Sequence, residues 1–218
     1  MVGENKTNAT LHGDTETIAR ELRVHEGVDV AAGLPYVCGA AFFGVFIPVV
    51  HSGFGVIWGW PLVPLAGAIV CTILALRSYL KLRNLPRPKN ISPRRIRVLG
   101  LFSLVYGIFM GALFSLISIF GTVAEQTLML GVVIIGVGVT AGINSVRTSV
   151  MFAIPVILTQ WGTAIYTGLL NWVGATALFV GIGSVVVQYA FRNRAKTIEL
   201  IKIKLASEEA LNEQIRVE

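Results

Sequence analysis

Residues able to perform chemistry are scarce in the long apolar middle of this sequence. Between Val30 and Ile198 there is one carboxylate, Glu125, and one histidine, His51. Catalysis generally requires acids, bases, nucleophiles or metal ligands that converge in a pocket. The sequence has no paired carboxylates, no metal-ligand spacing and no phosphate-binding glycine loop. It therefore predicts a protein without catalytic activity, metal or cofactor.

Uncharged polar side chains are the remaining candidates for a binding site. Gln160 lies inside an apolar stretch, Asn144 lies near the end of another, and Trp161 and Tyr166 follow Gln160 closely. Polar groups at membrane depth are costly and often mark function. Amides also join neighbouring helices, at about 0.6 kcal/mol per hydrogen bond. The sequence favours this structural role for the amides, with contact between these four residues and a sensed ligand as the alternative. Thr159 and Thr163 cluster with Gln160 and Tyr166 on the fifth predicted helix, which would then hold the sensing pocket.

The composition is that of a membrane protein. Hydrophobic residues make up 54% of the 218 residues, charged residues only 14%, and the mean hydropathy is +0.72. Soluble domains have roughly 25% charged residues. The net charge of +6 would suit nucleic acid, but the apolar runs are too long for a soluble nucleic-acid-binding domain. Cys38 and Cys71 lie in apolar runs, which predicts neither a disulfide nor a metal site.

Six apolar stretches approach the roughly 20 residues that a helix needs to cross the hydrocarbon core of a bilayer. They are residues 35–50, 54–80, 98–120, 126–144, 149–170 and 171–191. Backbone groups in lipid must be paired within the protein, which favours helices. The sequence therefore predicts an all-α integral membrane bundle of six transmembrane helices, with the lipid bilayer as its main partner.

Lysine and arginine positions predict how these helices are oriented, because short cytoplasmic loops carry an excess of both. With the N-terminus inside, the outer connections hold no cation. Both termini are therefore predicted to be cytoplasmic. The inner connections hold Arg77, Lys81, Arg83, Arg87, Lys89, Arg94, Arg95, Arg97, Arg147, Arg192, Arg194 and Lys196.

The basic segment between the second and third predicted helices lies beside the anionic inner leaflet, and its prolines break the helix. Its favoured interpretation is a stop-transfer signal and inner-leaflet anchor. A regulatory lipid-binding site is the alternative. The arginines concerned are Arg83, Arg87, Arg94, Arg95 and Arg97.

Two pairs of glycines predict close helix packing. Gly107 and Gly111 are four residues apart in the third predicted helix, and Gly138 and Gly142 in the fourth. Each pair forms a notch where another helix can approach. We favour packing within one bundle, with homodimerisation through these faces as the alternative. Pro155 removes a backbone hydrogen bond and predicts a kink in the fifth helix.

The polar ends of the chain predict two cytoplasmic segments around a transmembrane domain at 34–191. Residues 1–33 form a tail with a short amphipathic helix on the membrane surface, ended by Gly27. Residues 192–218 form an exit helix with an apolar seam that predicts a homodimer. The apolar residues of the seam are Ile198, Ile201, Leu205 and Ile215.

Several short motifs follow one another along the chain. They are the basic run Arg77-Ser-Tyr-Leu-Lys-Leu-Arg83 continuing to Arg94-Arg-Ile-Arg97, then Tyr106-Gly-Ile-Phe, Glu125-Gln126 before the glycines at 131–142, Ile154-Pro155, and Phe191-Arg-Asn-Arg194. This order resembles the membrane-associated sensor (MASE-type) regions of bacterial diguanylate cyclases, cyclic-di-GMP phosphodiesterases and membrane histidine kinases. The resemblance spans roughly residues 15 to 215.

The resemblance implies an input module in the inner membrane of a bacterium. Such a module would bind an unknown small molecule or sense a membrane state, and would transmit this signal through the exit helix to a cytoplasmic output domain. A GGDEF diguanylate cyclase domain is the expected output, although the sequence contains no GGDEF, EAL or kinase motif. The alternative function is a small multi-pass transporter or channel subunit.

Overall fold

The structure, a computed structural model, describes residues 16–28, 30, 32–33, 39, 62–83, 88, 90–143 and 145–217. All regular secondary structure in these ranges is α-helical, which confirms the predicted fold class. The helices are α1 (16–28), α2 (Leu62–Arg83), α3 (Pro93–Phe120), α4 (Val123–Ile143), α5 (Val146–Tyr166) and α6 (Trp172–Val217).

Helices α2 to α6 are long and apolar enough to cross a membrane. They correspond to the last five of the six predicted spans, so the chain is a multi-pass membrane protein. The first predicted span, residues 35–50, lies outside the described residues apart from position 39. The count of six therefore stays a prediction.

α3 begins earlier than the apolar pattern indicates. Ser92 is its N-cap, and the Ser92 Oγ accepts a hydrogen bond from the Arg95 backbone N–H at 3.4 Å. Pro93 suits the first helical position because its missing N–H would have no intrahelical partner there. The helix therefore includes Arg94, Arg95 and Arg97, which we expected in the preceding connection.

α3 and α5 form the most extensive helix pair, and the two helices are parallel. A Cβ atom added at Gly107 would lie 2.5 Å from the Phe152 carbonyl oxygen, and one at Gly111 would lie 2.5 Å from the Thr159 Oγ1. The contacting residues therefore follow one another in the same direction along both helices, as in a parallel pair. The Tyr106 and Phe152 rings pack beside these contacts with centroids 5.7 Å apart. The missing glycine side chains let the two backbones approach closely.

The other spans surround this pair. α2 packs on α3, while α4 and α6 pack on α5 and on each other. Trp161 of α5 donates a hydrogen bond from Nε1 to the Thr176 Oγ1 of α6 at 3.1 Å. One apolar core, in which Tyr106, Met110 and Val133 are almost fully buried, connects the helices.

α1 packs on the protein, and its position on the membrane surface stays a prediction. Val24 forms a small apolar cluster with Ile91 and Ile96, which lie just before and within the start of α3. Gly27 does not end the helix: residue 28 is still helical, and a Cβ at Gly27 would overlap the Ile91 side chain. The C-terminal part of α1 is therefore covered by Ile91 and Ile96.

The exit helix continues α6 without a break. α6 has 46 residues, and only about 20 are needed to cross the hydrocarbon core. Within the predicted seam Ile201 is 7% exposed, so this position is covered within the chain. Leu200 and Ile203 lie on a neighbouring face, and Leu200 is 64% exposed. The exit helix thus carries an apolar face that the chain itself leaves open.

Candidate functional site

Gln160 connects α5 to α3 inside the bundle. Its side chain is 3% exposed, and its Nε2 donates a hydrogen bond to the Ser115 Oγ at 3.0 Å. Ser115 lies four residues after Gly111, so it faces α5 one helical turn beyond the glycine contact. The parallel packing of the two helices therefore brings this amide and this hydroxyl together. The contact fits the predicted structural role of Gln160.

A small cleft with several polar side chains adjoins Gln160 between α3, α4, α5 and the turn that follows α5. Its volume is about 10 Å³, room for roughly one water molecule. Amide and hydroxyl groups supply neutral donors and acceptors, which suit water or a small uncharged polar ligand. The cleft is lined by Ser118, Gln126, Leu130, Gln160, Thr163, Ala164, Thr167 and Leu169.

The threonines in the second half of α5 and at its C-cap donate hydrogen bonds to backbone carbonyls of α5. The hydroxyls of Thr159, Thr163 and Thr167 donate to the carbonyl oxygens four residues earlier, at 2.8, 2.8 and 2.9 Å. Each hydroxyl oxygen keeps acceptor capacity toward the cleft or toward α3. The first of these bonds ends on the Pro155 carbonyl. α5 stays helical through Pro155, and the kink remains a prediction.

Glu125 closes the turn between α3 and α4 through hydrogen bonds to Thr122. Its Oε2 accepts hydrogen bonds from the Thr122 backbone N–H at 2.6 Å and from the Thr122 Oγ1 at 2.9 Å. The Glu125 N–H donates in return to the Thr122 Oγ1 at 3.4 Å. This is a capping box, which holds Glu125 at 7% exposure. The Thr-x-x-Glu spacing before an apolar run was a sequence signal for it that our predictions missed.

Two predicted site residues lie away from the cleft. Trp161 points to α6 through its bond to Thr176, and Tyr166 is 77% exposed. Asn144 lies outside the described residues. The structure therefore combines Gln160 with a different set of partners from the one that we predicted. Thr163 was expected beside Gln160 and lines the cleft. The other polar residues near Gln160 were not predicted, because nothing local in the sequence shows which helix they face; they are Ser115, Ser118, Gln126 and Thr167.

A second buried polar group lies at the other end of α5. The Ser149 Oγ donates to the Thr140 carbonyl oxygen at 3.0 Å, which ties α5 to α4. Thr148 is also buried and bonds to the N-cap Ser145. These hydroxyls satisfy backbone groups near the start of the helix, so their arrangement is structural.

The predicted packing glycines have different surroundings. Gly107 and Gly111 lie in the α3–α5 contact. A Cβ at Gly138 would meet nothing within 4 Å, so this face of α4 is open in a single chain. Gly142 lies within α4, but its surroundings are outside the described residues. Of the three predicted glycines whose surroundings are described, the α3 pair is therefore placed against another helix and Gly138 is not.

The start of α5 defines what we call the basic end of the bundle. Arg147 lies there beside Gly100 of α3, and both Arg147 and Arg194 of α6 act electrostatically on Glu26 of α1. Burial raises the pKa of the Glu26 carboxyl above its ordinary value, and the two arginines lower it by less. Arg83, Arg94, Arg95 and Arg97 are exposed, and Arg87 lies outside the described residues.

Comparisons with known proteins give this site no precedent. A scan against protein-family models found no match, and searches of curated proteins and of solved structures found none either. The resemblance to membrane-associated sensor regions therefore stays a prediction.

Proposed function

We propose that this chain is a non-catalytic sensor or anchoring module that passes a signal from the membrane to a cytoplasmic output domain. The observation that carries the proposal is the continuous helix α6. Its 46 residues span about 69 Å at 1.5 Å per residue. A hydrocarbon core of about 30 Å takes up less than half of this length. Displacement of the membrane part would therefore move the exit helix as one rod.

The cleft beside Gln160 is the proposed input. Its lining comes from α3, α4, α5 and the turn after α5, and α5 in turn packs on α6. A small uncharged ligand would have to widen this cleft, and by competing for the Gln160 amide it would loosen the bond to Ser115. A shift of α5 relative to α3 would then displace α6, because α5 packs directly on α6. This route uses neutral hydrogen bonds, in keeping with the uncharged side chains of the cleft.

The apolar packing between Gln160 and the opposite end of the bundle favours a sensor over the alternative of a transporter or channel subunit. Transporters bind their substrates at polar sites near the bilayer midplane. In the described part of the bundle, the interior beyond Gln160 is filled by Met110, Val133, Phe152 and Val156. These side chains offer no polar path from the cleft to the buried hydroxyls near Thr140.

The proposal also includes the membrane in which the protein resides, its output domain and its oligomeric state. Residence in a bacterial inner membrane, an output domain of the diguanylate cyclase type and a homodimer through the exit helix all rest on the resemblance and on the apolar seam. The partial cover of Ile201 and the exposure of Leu200, Ile203 and Leu211 favour contact through the more exposed face. This shifts the proposed dimer contact away from the first half of the predicted seam.

Insertion of alanines into the exit helix tests signal transmission. A reporter domain that is active only when two copies align would be fused after Glu218, and one to seven alanines would be inserted after Ala195. Each added residue rotates the following helix by about 100°. We expect reporter activity to rise and fall with the helical period. Activity that is independent of insert length, in chains that reach the membrane in equal amounts, would rule out transmission through α6.

A further inference from the structure

We propose that the basic end of the bundle is a docking surface for anionic lipid headgroups. Ten exposed cations from four helices form this surface, which we call the basic belt. Its members are Arg77, Lys81 and Arg83 of α2, Arg94, Arg95 and Arg97 of α3, Arg147 of α5, and Arg192, Arg194 and Lys196 of α6. The inference goes beyond the proposed signalling function and does not depend on it.

Contacts within the bundle place cations of three helices at one level. The parallel packing of α3 and α5 puts the starts of both helices together, with Arg147 beside Gly100. Arg147 and Arg194 both act on the same carboxylate, Glu26, so the α6 cations lie at this level too. Arg192 is about 30 Å along α6 from Trp172, close to the thickness of the hydrocarbon core. The belt therefore coincides with one membrane interface.

Most belt cations have no ion-pair partner within the described part of the chain. The ion pair found there joins Lys204 to Glu208 at 3.4 Å, on the exit helix and outside the belt. Glu26 is the carboxylate that acts on two belt members, Arg147 and Arg194. A single carboxylate leaves most of the ten cations available. Their natural counter-charge at a membrane interface is the anionic headgroup.

The residue types favour phosphate as the bound group. Eight of the ten belt cations are arginine. The planar guanidinium donates paired hydrogen bonds to phosphate oxygens, which the lysine ammonium does not match. Zwitterionic lipids also carry a phosphate, but their own ammonium group offsets the charge that the belt would attract. The belt should thus prefer lipids with net negative charge.

Lipid retention by the full chain tests the proposal. The protein would be extracted from vesicles with equal amounts of phosphatidylcholine and phosphatidylglycerol, and the retained lipids counted by mass spectrometry. We expect phosphatidylglycerol to be enriched, and the enrichment to fall severalfold in the triple variant R94Q/R95Q/R97Q. The matched control K202Q/K204Q/R216Q removes three cations from the exit helix and should keep the enrichment. An equal fall in both variants would overturn the belt as a site.

Two further measurements use the unmodified chain and so do not depend on the folding of the belt variant. They test whether the enrichment is electrostatic and whether the bound group is a lipid. Raised salt should weaken the enrichment, because screening acts on exposed charges. An enrichment that is indifferent to salt would contradict an electrostatic belt. Inorganic phosphate at millimolar concentration should leave phosphatidylglycerol bound, because many cations act together on the bilayer surface. Displacement by free phosphate would instead indicate a soluble-anion site and overturn the lipid assignment.

Discussion

At the scale of single residues, hydrogen bonds decide what each polar group inside the bundle does. The Glu125 carboxylate is used by the Thr122 N-cap, and the Gln160 amide is used by Ser115. The sequence predicted a structural role for Gln160 from its depth in an apolar stretch. It could not identify Ser115 as the partner, because the two residues are 45 positions apart. Only the parallel contact between α3 and α5 brings them together.

Replacement of Gln160 by leucine should destabilise the bundle modestly. The variant loses one interhelical hydrogen bond, and the Ser115 hydroxyl loses its donor. We expect the free energy of unfolding to fall by about 1 kcal/mol. Denaturation of the purified protein in mixed micelles would measure this loss. Gln188→Leu is the matched control, because the Gln188 side chain is exposed. Equal losses in the two variants would show that the Ser115 bond contributes nothing specific.

Protonation of Glu26 should strengthen the folded state. Burial raises the pKa of Glu26, so the folded chain takes up this proton at a higher pH than the unfolded chain does. This contribution is fully present below the ordinary value of 4.5 and is lost as the pH rises through the raised pKa. The stability of the unmodified protein relative to Glu26→Gln should therefore increase as the pH falls from neutral toward 4.5.

The melting temperature as a function of pH, recorded in the same detergent for both proteins, would check the effect of Glu26. Glu21→Gln serves as a control that removes a carboxylate from the same helix. A difference between wild type and Glu26→Gln that stays constant with pH would contradict a raised pKa for Glu26.

At the scale of helices, close approach depends on which glycines face a neighbour. The sequence predicted notches at Gly107 and Gly111 and at Gly138 and Gly142 from the same four-residue spacing. The structure places the first pair against α5, whereas Gly138 faces open space. Spacing alone could not distinguish them, because it identifies a smooth face but not the helix that packs on it. The start of α3 was also missed, since the Ser92–Pro93 signal lies before the apolar run.

Valine at position 111 should separate α3 from α5. A Cβ there would already lie 3.2 Å from the Val156 Cα and from the Pro155 carbonyl oxygen, which belong to the backbone of α5. Such overpacking typically costs about 1–3 kcal/mol. Gly138→Val makes the same change where nothing lies within 4 Å, and its effect should stay within about 0.5 kcal/mol. The same micelle denaturation would compare them, and similar losses would argue against backbone contact at Gly111.

At the scale of the whole molecule, the first predicted span lies outside the described residues, and α3, α4 and α5 begin three to five residues before their predicted starts. The existence of the other five spans could be predicted, because hydropathy and backbone pairing act on each segment separately. The order of packing could not. Nothing local in the sequence indicates that α3 and α5, separated by α4, form the most extensive contact. For the same reason the sequence predicted only those cleft residues that share the fifth helix, Gln160 and Thr163, and missed the lining from α3, α4 and the turn after α5.

The orientation of the bundle can be tested by labelling in intact cells. A cysteine at Val123 would report on the end opposite the basic belt, and one at Glu213 on the exit helix, both in a background with Cys38 and Cys71 changed to alanine. Both positions are exposed. We expect a membrane-impermeant maleimide to label position 123 in intact cells and position 213 only after lysis. Labelling of position 213 in intact cells would reverse the predicted topology.

The parallel contact between α3 and α5 also sets an order of events during synthesis. α3 and α4 are joined by Gly121 and Thr122 alone, so these two helices can enter the bilayer together as a hairpin while the ribosome is still translating. The glycine face of α3 then remains exposed to lipid until α5 is inserted. The delay is the time needed to synthesise about 45 residues, the separation between Ser115 and Gln160. At roughly 5–20 residues per second this wait lasts a few seconds. During that interval the same smooth face is open to any other helix nearby, so nascent chains of this protein are most vulnerable to mispairing just before α5 is inserted.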